Sequence, residues 1–396
     1  MSKNKLTFLL FLLIPSIAEI IDSSQFTISI PNSPFSLGRI MFLFVGINGI
    51  LSNKNRYNKS NTRKGLLLIF LGGIIGAFFS DKIGLSLSRS MGTILLFFAS
   101  IGIASFINQN KFQKFIDFFF ILNLMYVTYY ILNLTFSKGL NFLSYSSLFL
   151  DEEAINHHII GVNASVSCIY LALRFFYKKN QLSFFGYVTI FVGLVTCFLS
   201  ESRSNLLITL IVLFLILLFS KIKFYNIILV SIPSIFLIYI IFSKIAYQND
   251  SLFQRFDITD TDYQQRTTAM RFEFLGSFLK EFFKFPLGKG VYGTEIQSSG
   301  FESTMIHNQY LTYVLSGGII ALIGVYLWMT EFITIFKYSV RRLKDISIFN
   351  HAIAFSMLTF LLTLTTVEYS GLLFFIYVSF LMYLSENYLI EKNSNP

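Results

Sequence analysis

Apolar runs long enough to approach the width of a hydrocarbon core recur along the whole chain. They fall at about 6–21, 36–51, 65–79, 91–107, 115–134, 159–176, 184–199, 205–219, 226–245, 309–336, 348–367 and 371–389. A membrane-spanning helix needs about 20 such residues, and fewer where the bilayer is thin. In lipid every backbone amide and carbonyl must find its partner inside the protein, and a helix satisfies this segment by segment. The pattern predicts an all-α polytopic membrane protein of about twelve transmembrane helices. Composition agrees: the 396 residues are 54% hydrophobic and 13% charged, against about 25% charged in an ordinary soluble domain. That leaves too little polar surface for a water-soluble globule of this size. The abundant Phe and Tyr read as lipid-facing bulk and interfacial belts.

Net charge is +10. In a soluble protein this would suggest nucleic acid, but here the basic residues gather in short loops and read as topology signals, so no nucleic acid is expected. One set of loops carries Lys54, Arg56, Lys59, Arg63 and Lys64, then Lys111 and Lys114, then Arg174, Lys178 and Lys179, and later Lys337, Arg341, Arg342 and Lys344. The short loops of the opposite set carry only Arg39, Lys82, Arg89, Lys138 and Arg203. The richer set should face the cytoplasm, which places both termini there and agrees with an even number of spans. Leu6 to Ile21 follows Lys3 and Lys5 without a small-residue cleavage site and is expected to be a retained first span. Cys168 and Cys197 fall in apolar runs and read as buried thiols.

On this topology the long segment 246–308 lies outside the cytoplasmic membrane. It is expected to pack as an external, periplasmic loop on a single membrane domain covering 1–396. Within it, Phe272, Leu275, Leu279, Phe282 and Phe283 recur at helical spacing between Arg271, Lys280, Glu281 and Lys284, which predicts an amphipathic helix over 266–285. Pro286 should end that helix, and Gly288, Gly290 and Gly293 should give a turn-rich return.

Several chemistries are unsupported. The sequence has no phosphate-binding Walker loop, no HExxH and no Cys/His cluster at zinc spacing, so neither a metal nor another cofactor is expected. Asp260-Thr261-Asp262 has the letters of a DxD pair but stands in the external segment, away from nucleotide sugars, and reads as a solvated acidic turn. Arg203 starts a span, where its charge opposes the helix dipole, so it is expected to bind an anion, to pair with Glu201 or to serve as an interfacial anchor. Arg266 and Arg271 have planar guanidinium forks suited to phosphate, and Lys280, Lys284 and Lys289 add diffuse positive charge. His307 stands just before the next span and can take a proton from a hydroxyl. His157 and His158 are rivals, and His351 reads as structural.

In order and spacing, the combination is more specific than its parts. Leu199-Ser200-Glu201-Ser202-Arg203 opens a span. An arginine, an amphipathic helix, Pro286-Leu287-Gly288-Lys289-Gly290, His307-Asn308-Gln309-Tyr310-Leu311 and Gly317-Gly318 then follow. Over about 195–325 this resembles the O-antigen polymerase and ligase superfamily of bacterial envelope glycosyltransferases. One departure is the absence of the Trp often found after the arginine, where Phe274 or Leu275 stands instead. It leaves Arg266 as an alternative to Arg271.

The resemblance implies a metal-independent glycosyltransferase in the cytoplasmic (inner) membrane, with its active site on the periplasmic side. Its donor would be an undecaprenyl-pyrophosphate-linked glycan. His307, Arg203 and Arg271 would be catalytic, and Arg266, Asn308, Tyr310 and Lys289 would bind substrate. Membrane lipids and a chain-length regulator are the other expected partners. The Phe-, Ile-, Lys- and Asn-rich composition resembles variable polysaccharide-locus polymerases. The expected reaction is therefore joining of repeat units into O-antigen or capsular polysaccharide. The alternative is a ligase that moves finished glycan onto lipid A-core. A flippase would place charges mid-span along a pathway, whereas strong charges here stand mainly near span ends.

Overall fold

The computed structural model describes residues 37–52, 60–107, 113–138, 157–176, 184–200, 202–219, 275–291, 296–298, 301–304, 308–341, 348–366 and 372–394. The helices are α1 (Leu37–Ser52), α2 (Asn61–Ala77), α3 (Ile83–Ile107), α4 (Gln113–Lys138), α5 (His157–Phe176), α6 (Phe184–Leu199), α7 (Arg203–Phe219), α8 (275–284), α9 (Gln309–Arg341), α10 (Ile348–Thr363) and α11 (Leu372–Ser394). Two short antiparallel strands, β1 (Ile296–Ser298) and β2 (Phe301–Thr304), form a hairpin between α8 and α9.

Each apolar run within the described residues is a helix; the runs expected at 6–21 and 226–245 lie outside them. By length and composition, Ile83–Ser105, Ile116–Asn133, Gln309–Val340 and Leu373–Ile390 can each cross a membrane, and shorter apolar helices accompany them. The chain is a membrane protein built of helices. The hairpin was not expected, because its Gly- and Ser-rich sequence reads as turn.

The residues cluster into two compact units. The first contains α4 to α7, α10 and the end of α9. Here α5 is the central helix, packing on α4, α6, α7 and α10. Its small polar side chains face inward: Asn163, Ser165 and Ser167 are fully buried. Asn163 donates to the Ile159 carbonyl of its own helix (3.0 Å), whereas Ser165 and Ser167 hydrogen-bond across helices, as interior polar groups in a membrane protein often do. Asn123 of α4 donates to Ser167 (2.9 Å), and Thr209 of α7 donates to Ser165 (2.8 Å). Arg174, read from sequence as a loop charge, instead ends α5 and makes a bidentate pair with Asp117 of α4 at 2.6 Å. The Tyr170 hydroxyl donates to the same carboxylate at 2.7 Å, and the guanidinium lies 5.4 Å from the Phe349 ring centroid. His351 is buried and its Nε2 lies 2.9 Å from the Ser339 carbonyl oxygen, a structural contact.

The second unit contains α1 to α3, α8, the hairpin, most of α9 and α11. Small residues let α2 approach α9 closely, as in many membrane helix pairs: a Cβ on Gly76 would collide with the Ser316 carbonyl, and one on Gly65 with that of Gly324. The start of α2 is tied down twice. The Ser60 hydroxyl accepts from the Arg63 amide at 3.1 Å. The buried carboxylate of Glu331 on α9 accepts from the Thr62 amide, an arrangement that sets a negative charge at the positive end of a helix.

Candidate functional site

Within the second unit, α8 leads straight into the glycine turn. Its buried anchor is Phe278, packed on Val314 and Leu315 of α9, with Phe282 and Leu311 beside them. Leu275, Leu279 and Phe283 stay exposed, an apolar face suited to an interface. The predicted helix therefore exists over 275–284, while 266–274 lie outside the described residues. Phe278 was missed because an apolar residue at nearly every third or fourth position marks two faces at once.

The chain then turns back at Phe285 to Gly290. Gly288 and Gly290 have φ of 93° and 73°, which side chains with a Cβ rarely adopt. The turn docks into a break in α9. Lys289 and Gly290 donate their amides to the carbonyls of Leu315 (2.9 Å) and Ser316 (3.0 Å), and Ile319 donates back to Pro286 (2.8 Å). At the break, Gly318 has φ 59° and ψ −144°. The Pro-Leu-Gly-Lys-Gly segment and the Gly317-Gly318 pair are thus two halves of one interlock, which explains their joint presence in the sequence. Lys289 is held by an ion pair to Glu281 at 2.6 Å, 5.0 Å above the Phe285 ring.

Asn308 caps α9. Its Oδ1 accepts from the amides of Tyr310 (3.0 Å) and Leu311 (3.1 Å), and its Nδ2 donates to the Thr365 carbonyl (3.0 Å). The Gln309 amide donates to the Leu364 carbonyl (2.9 Å). Tyr310 lies 5.9 Å, ring to ring, from Trp328. Asn308, expected to bind substrate, therefore has its amide group engaged with backbone at both ends and fixes where α9 begins.

Beside this junction a small cleft of about 60 Å³ opens between α2, α3, α9 and α11. Its polar side is Arg89, Ser90 and Thr93 of α3 with Gln309, Thr312 and Ser316 of α9; its apolar side is built on Phe70, Tyr313, Phe374 and Phe375. Those rings brace one another, with Phe70 6.3 Å from Tyr313 and 6.2 Å from Phe375. Arg89 is the charged residue of the lining. Hydropathy alone puts it in a loop, because the apolar run begins near 91. In the structure α3 starts at Ile83, after a tight connection in which Ser80 accepts from the Lys82 amide (3.3 Å) and from the Ser86 hydroxyl (2.9 Å).

In the first unit, Arg203 is the first residue of α7. The backbone on either side of it is held by a buried polar network. Ser202 accepts from the Leu206 amide (3.0 Å) with its carbonyl and from Asn205 Nδ2 (2.6 Å) with its hydroxyl. The Asn205 carbonyl accepts from Ser165 (3.2 Å) and Thr209 (2.6 Å). Gly161 of α5 lies so close that a Cβ there would strike Ser202 and Asn205. The Ser-x-Ser-Arg-x-Asn sequence is thus largely a device for setting a helix start.

Arg266, Arg271 and His307 lie outside the described residues, as do the acidic residues Asp151 to Glu153, Glu201 and Glu368. Among the described residues no group of His, Cys, Asp and Glu side chains gathers that could hold a metal ion. Cys168 and Cys197 are free and buried.

Residues 188–326 match the model of the O-antigen ligase family. The matched stretch takes in the start of α7, α8, the glycine turn, the hairpin, the α9 cap and the break at Gly318. No curated protein matches the chain. The motif resemblance read over about 195–325 is borne out by this match, which is consistent with the O-antigen polymerase and ligase superfamily.

Proposed function

We propose that this chain is a polymerase that joins undecaprenyl-pyrophosphate-linked repeat units into O-antigen or capsular polysaccharide at the outer face of the cytoplasmic membrane. The family match at 188–326 is the observation that carries this reading. It covers the glycine interlock and the α9 cap, features that a membrane helix needs only if the segment before it must be held in one place. About twelve spans, with both termini cytoplasmic and 246–308 periplasmic, complete the proposal; they rest on the alternation of basic loops.

In the proposed reaction an acceptor hydroxyl attacks the anomeric carbon of the donor. The new glycosidic C–O bond forms as the bond to pyrophosphate breaks, and undecaprenyl pyrophosphate departs with the electron pair. His307 takes the hydroxyl proton. Arg203 and Arg271, with Arg266 as the alternative to Arg271, stabilise the charge that builds on the leaving group. Tyr310 and Asn308 contribute to binding through the α9 start, and Lys289 through the turn that Glu281 steadies. No metal or nucleotide sugar enters this scheme.

The ligase reading keeps one observation in its favour: the matched family is described as O-antigen ligase. The glycan profile of a deletion strain separates the two. Loss of long chains with one capped repeat remaining supports the polymerase. Loss of all capping while lipid-linked polymer accumulates supports the ligase. An unchanged profile overturns both.

A further inference from the structure

Helix α9 doubles back on itself. Tyr310 and Trp328 are 18 residues apart, which in an unbroken α-helix would separate them by about 27 Å. Their ring centroids nevertheless lie 5.9 Å apart. Leu311 and Val325 both pack on the cluster of Phe278, Val314 and Leu315, although a straight helix would hold them about 21 Å apart. Helix α2 meets both halves. Gly65 lies against Gly324 and Trp328, and Gly72 against Gly317 and Ala321, so the half after the break runs antiparallel to α2. Phe70 meets Tyr313 and Gly76 meets Ser316, so the half before the break runs parallel to α2. The chain therefore reverses at Gly317-Gly318, where Gly318 has φ 59° and ψ −144°.

The half after the break, 319–341, is long enough to cross a membrane alone, which takes about 20 residues. The half before it, 309–317, then folds back into the membrane domain. Backbone of this kind is tolerated where surrounding protein meets its polar groups. Here the Leu364 and Thr365 carbonyls and the Asn308 side chain do so. The start of this half-helix stands level with Trp328, about 15 Å of helix from the break. Near the break the two halves are held by the glycine turn and by Phe278; at the start of the half-helix the contact is the Trp328 ring. Trp328 is fully buried and set against Gly65, where a Cβ would not fit. Its indole N–H has no hydrogen-bond partner among the described residues. A buried donor left unpaired carries a cost, so the ring contributes bulk and not a hydrogen bond.

We infer that 309–317 is a re-entrant half-helix and that Trp328, acting through Tyr310, is the positioning residue that holds its start. This deepens the proposed function, on which its catalytic meaning rests. In that reading the substrate contacts at Asn308 and Tyr310 are made deeper in the membrane domain than the glycine interlock. A misplacement of about 1 Å can cost about a hundredfold in rate, so a residue that touches no substrate still governs turnover when it sets the position of those that do.

The full-length protein carrying Cys168→Ser and Cys197→Ser is reconstituted in lipid discs and treated with dibromobimane, which becomes strongly fluorescent on bridging two neighbouring thiols. Leu311→Cys with Val325→Cys should be bridged. Ile319→Cys with Ile333→Cys, equally far apart in sequence but within one half, should not. Absence of bridging in the first pair, while each thiol reacts singly with monobromobimane, overturns the half-helix. Trp328→Ala should lower the bridging of that pair and, in the otherwise native chain, cut turnover of lipid-linked repeat units roughly tenfold or more. Trp328→Phe keeps a ring and removes the unpaired donor, so it should restore both. Phe332→Ala empties another buried site of the same helix; it should lower the melting temperature but leave bridging, and turnover per folded protein, unchanged. Unchanged turnover in Trp328→Ala, no rescue by Trp328→Phe, or an equal loss in Phe332→Ala overturns the positioning role. Trp328→Leu, which leaves a smaller cavity, takes the place of Trp328→Ala if that variant fails to fold. Failure of the deletion-strain experiment would sink the polymerase reading while leaving the bridging results, which need no substrate, as they are.

Discussion

The amide of Ile319 donates to the carbonyl of Pro286 at 2.8 Å, joining a helix interrupted at Gly318 to a turn that would otherwise stand alone. With the bonds from Lys289 and Gly290 it makes a two-way latch. A helix broken inside a membrane protein leaves backbone groups unpaired, and each must be satisfied by neighbouring protein. Here the turn supplies those partners. The break and the turn therefore stand or fall together.

Gly318→Ala tests the latch. The backbone there lies near a region of φ and ψ reached essentially by glycine alone, which costs other residues about 1–3 kcal/mol. A Cβ would also collide with the Pro286 carbonyl. The variant should unfold at clearly lower temperature in detergent and lose product in cells. Gly276→Ala, in α8, meets nothing within 4 Å and should be neutral or stabilising by up to about 1 kcal/mol. Equal melting temperatures for both variants would contradict the latch.

Asp117 and Arg174 offer a second test, in the other unit. Their bidentate pair is partly buried, with side-chain exposures of 26% and 22%. Removing one member leaves the other short of a partner, and a hydrogen bond to a charged group contributes about 1.5–3 kcal/mol. Asp117→Asn and Arg174→Met should each lower the thermal midpoint. The double variant should recover part of the loss, because no lone charge is left behind. Strict additivity in that cycle would show that the pair contributes no coupling.

Much of this architecture is legible in the sequence, and the illegible parts share a cause. Apolar runs mark helices because lipid forces every span to be one, so α4, α6 and α9 fall close to their predicted positions. Pro286 with its glycines marks a turn for local steric reasons. Long-range partners carry no local sign. Nothing near Glu331 says that it reaches the Thr62 amide, nor anything near Arg174 that Asp117 awaits it. Arg89 was misplaced for a simpler reason: hydropathy finds the apolar part of α3, whereas its first turns are polar and are set by the Ser80 hydrogen bonds. The cap made by Asn308 was not separately legible, because a helix cap and a ligand donor call for the same chemistry.

The arginines form a third prediction. Lys keeps the charge of Arg203 but loses its paired hydrogen bonds. Arg203→Ala should nearly abolish polymer, and Arg203→Lys should restore only part. Arg271 and Arg266 should be compared in the same way, since only one is expected to behave like Arg203. Normal chain length and yield from Arg203→Ala at normal expression would remove it from the mechanism.

Topology can be read with single-cysteine labelling. Cys168 and Cys197 are buried, and Cys197 already lies among hydroxyl partners, 3.3 Å from Ser165, so serine should replace it with little disturbance. A cysteine at position 298 should then react with impermeant maleimide from the periplasmic side. Reaction only from the cytoplasmic side would reverse the orientation and remove the lipid-linked donor from reach.

The last prediction concerns His307 as general base. Its sequence position motivates it: it follows the hairpin strand β2 and immediately precedes Asn308, whose cap fixes the start of α9. General-base catalysis requires a base that meets the substrate repeatedly in one geometry. A positioned base contributes about 10²–10⁴-fold in rate. His307→Ala should therefore lower turnover by a factor of that order. It should leave the melting temperature unchanged, because the Asn308 cap does not depend on it, and should leave donor affinity nearly intact. Since only the neutral imidazole accepts a proton, wild-type turnover should fall as pH drops through the histidine range, and the residual rate of His307→Ala should lose that dependence. His157→Ala and His158→Ala should have smaller effects. Purified His307→Ala that polymerises lipid-linked repeat units at the wild-type rate would exclude His307 and turn attention to His157, His158 and the acidic run Asp151 to Glu153.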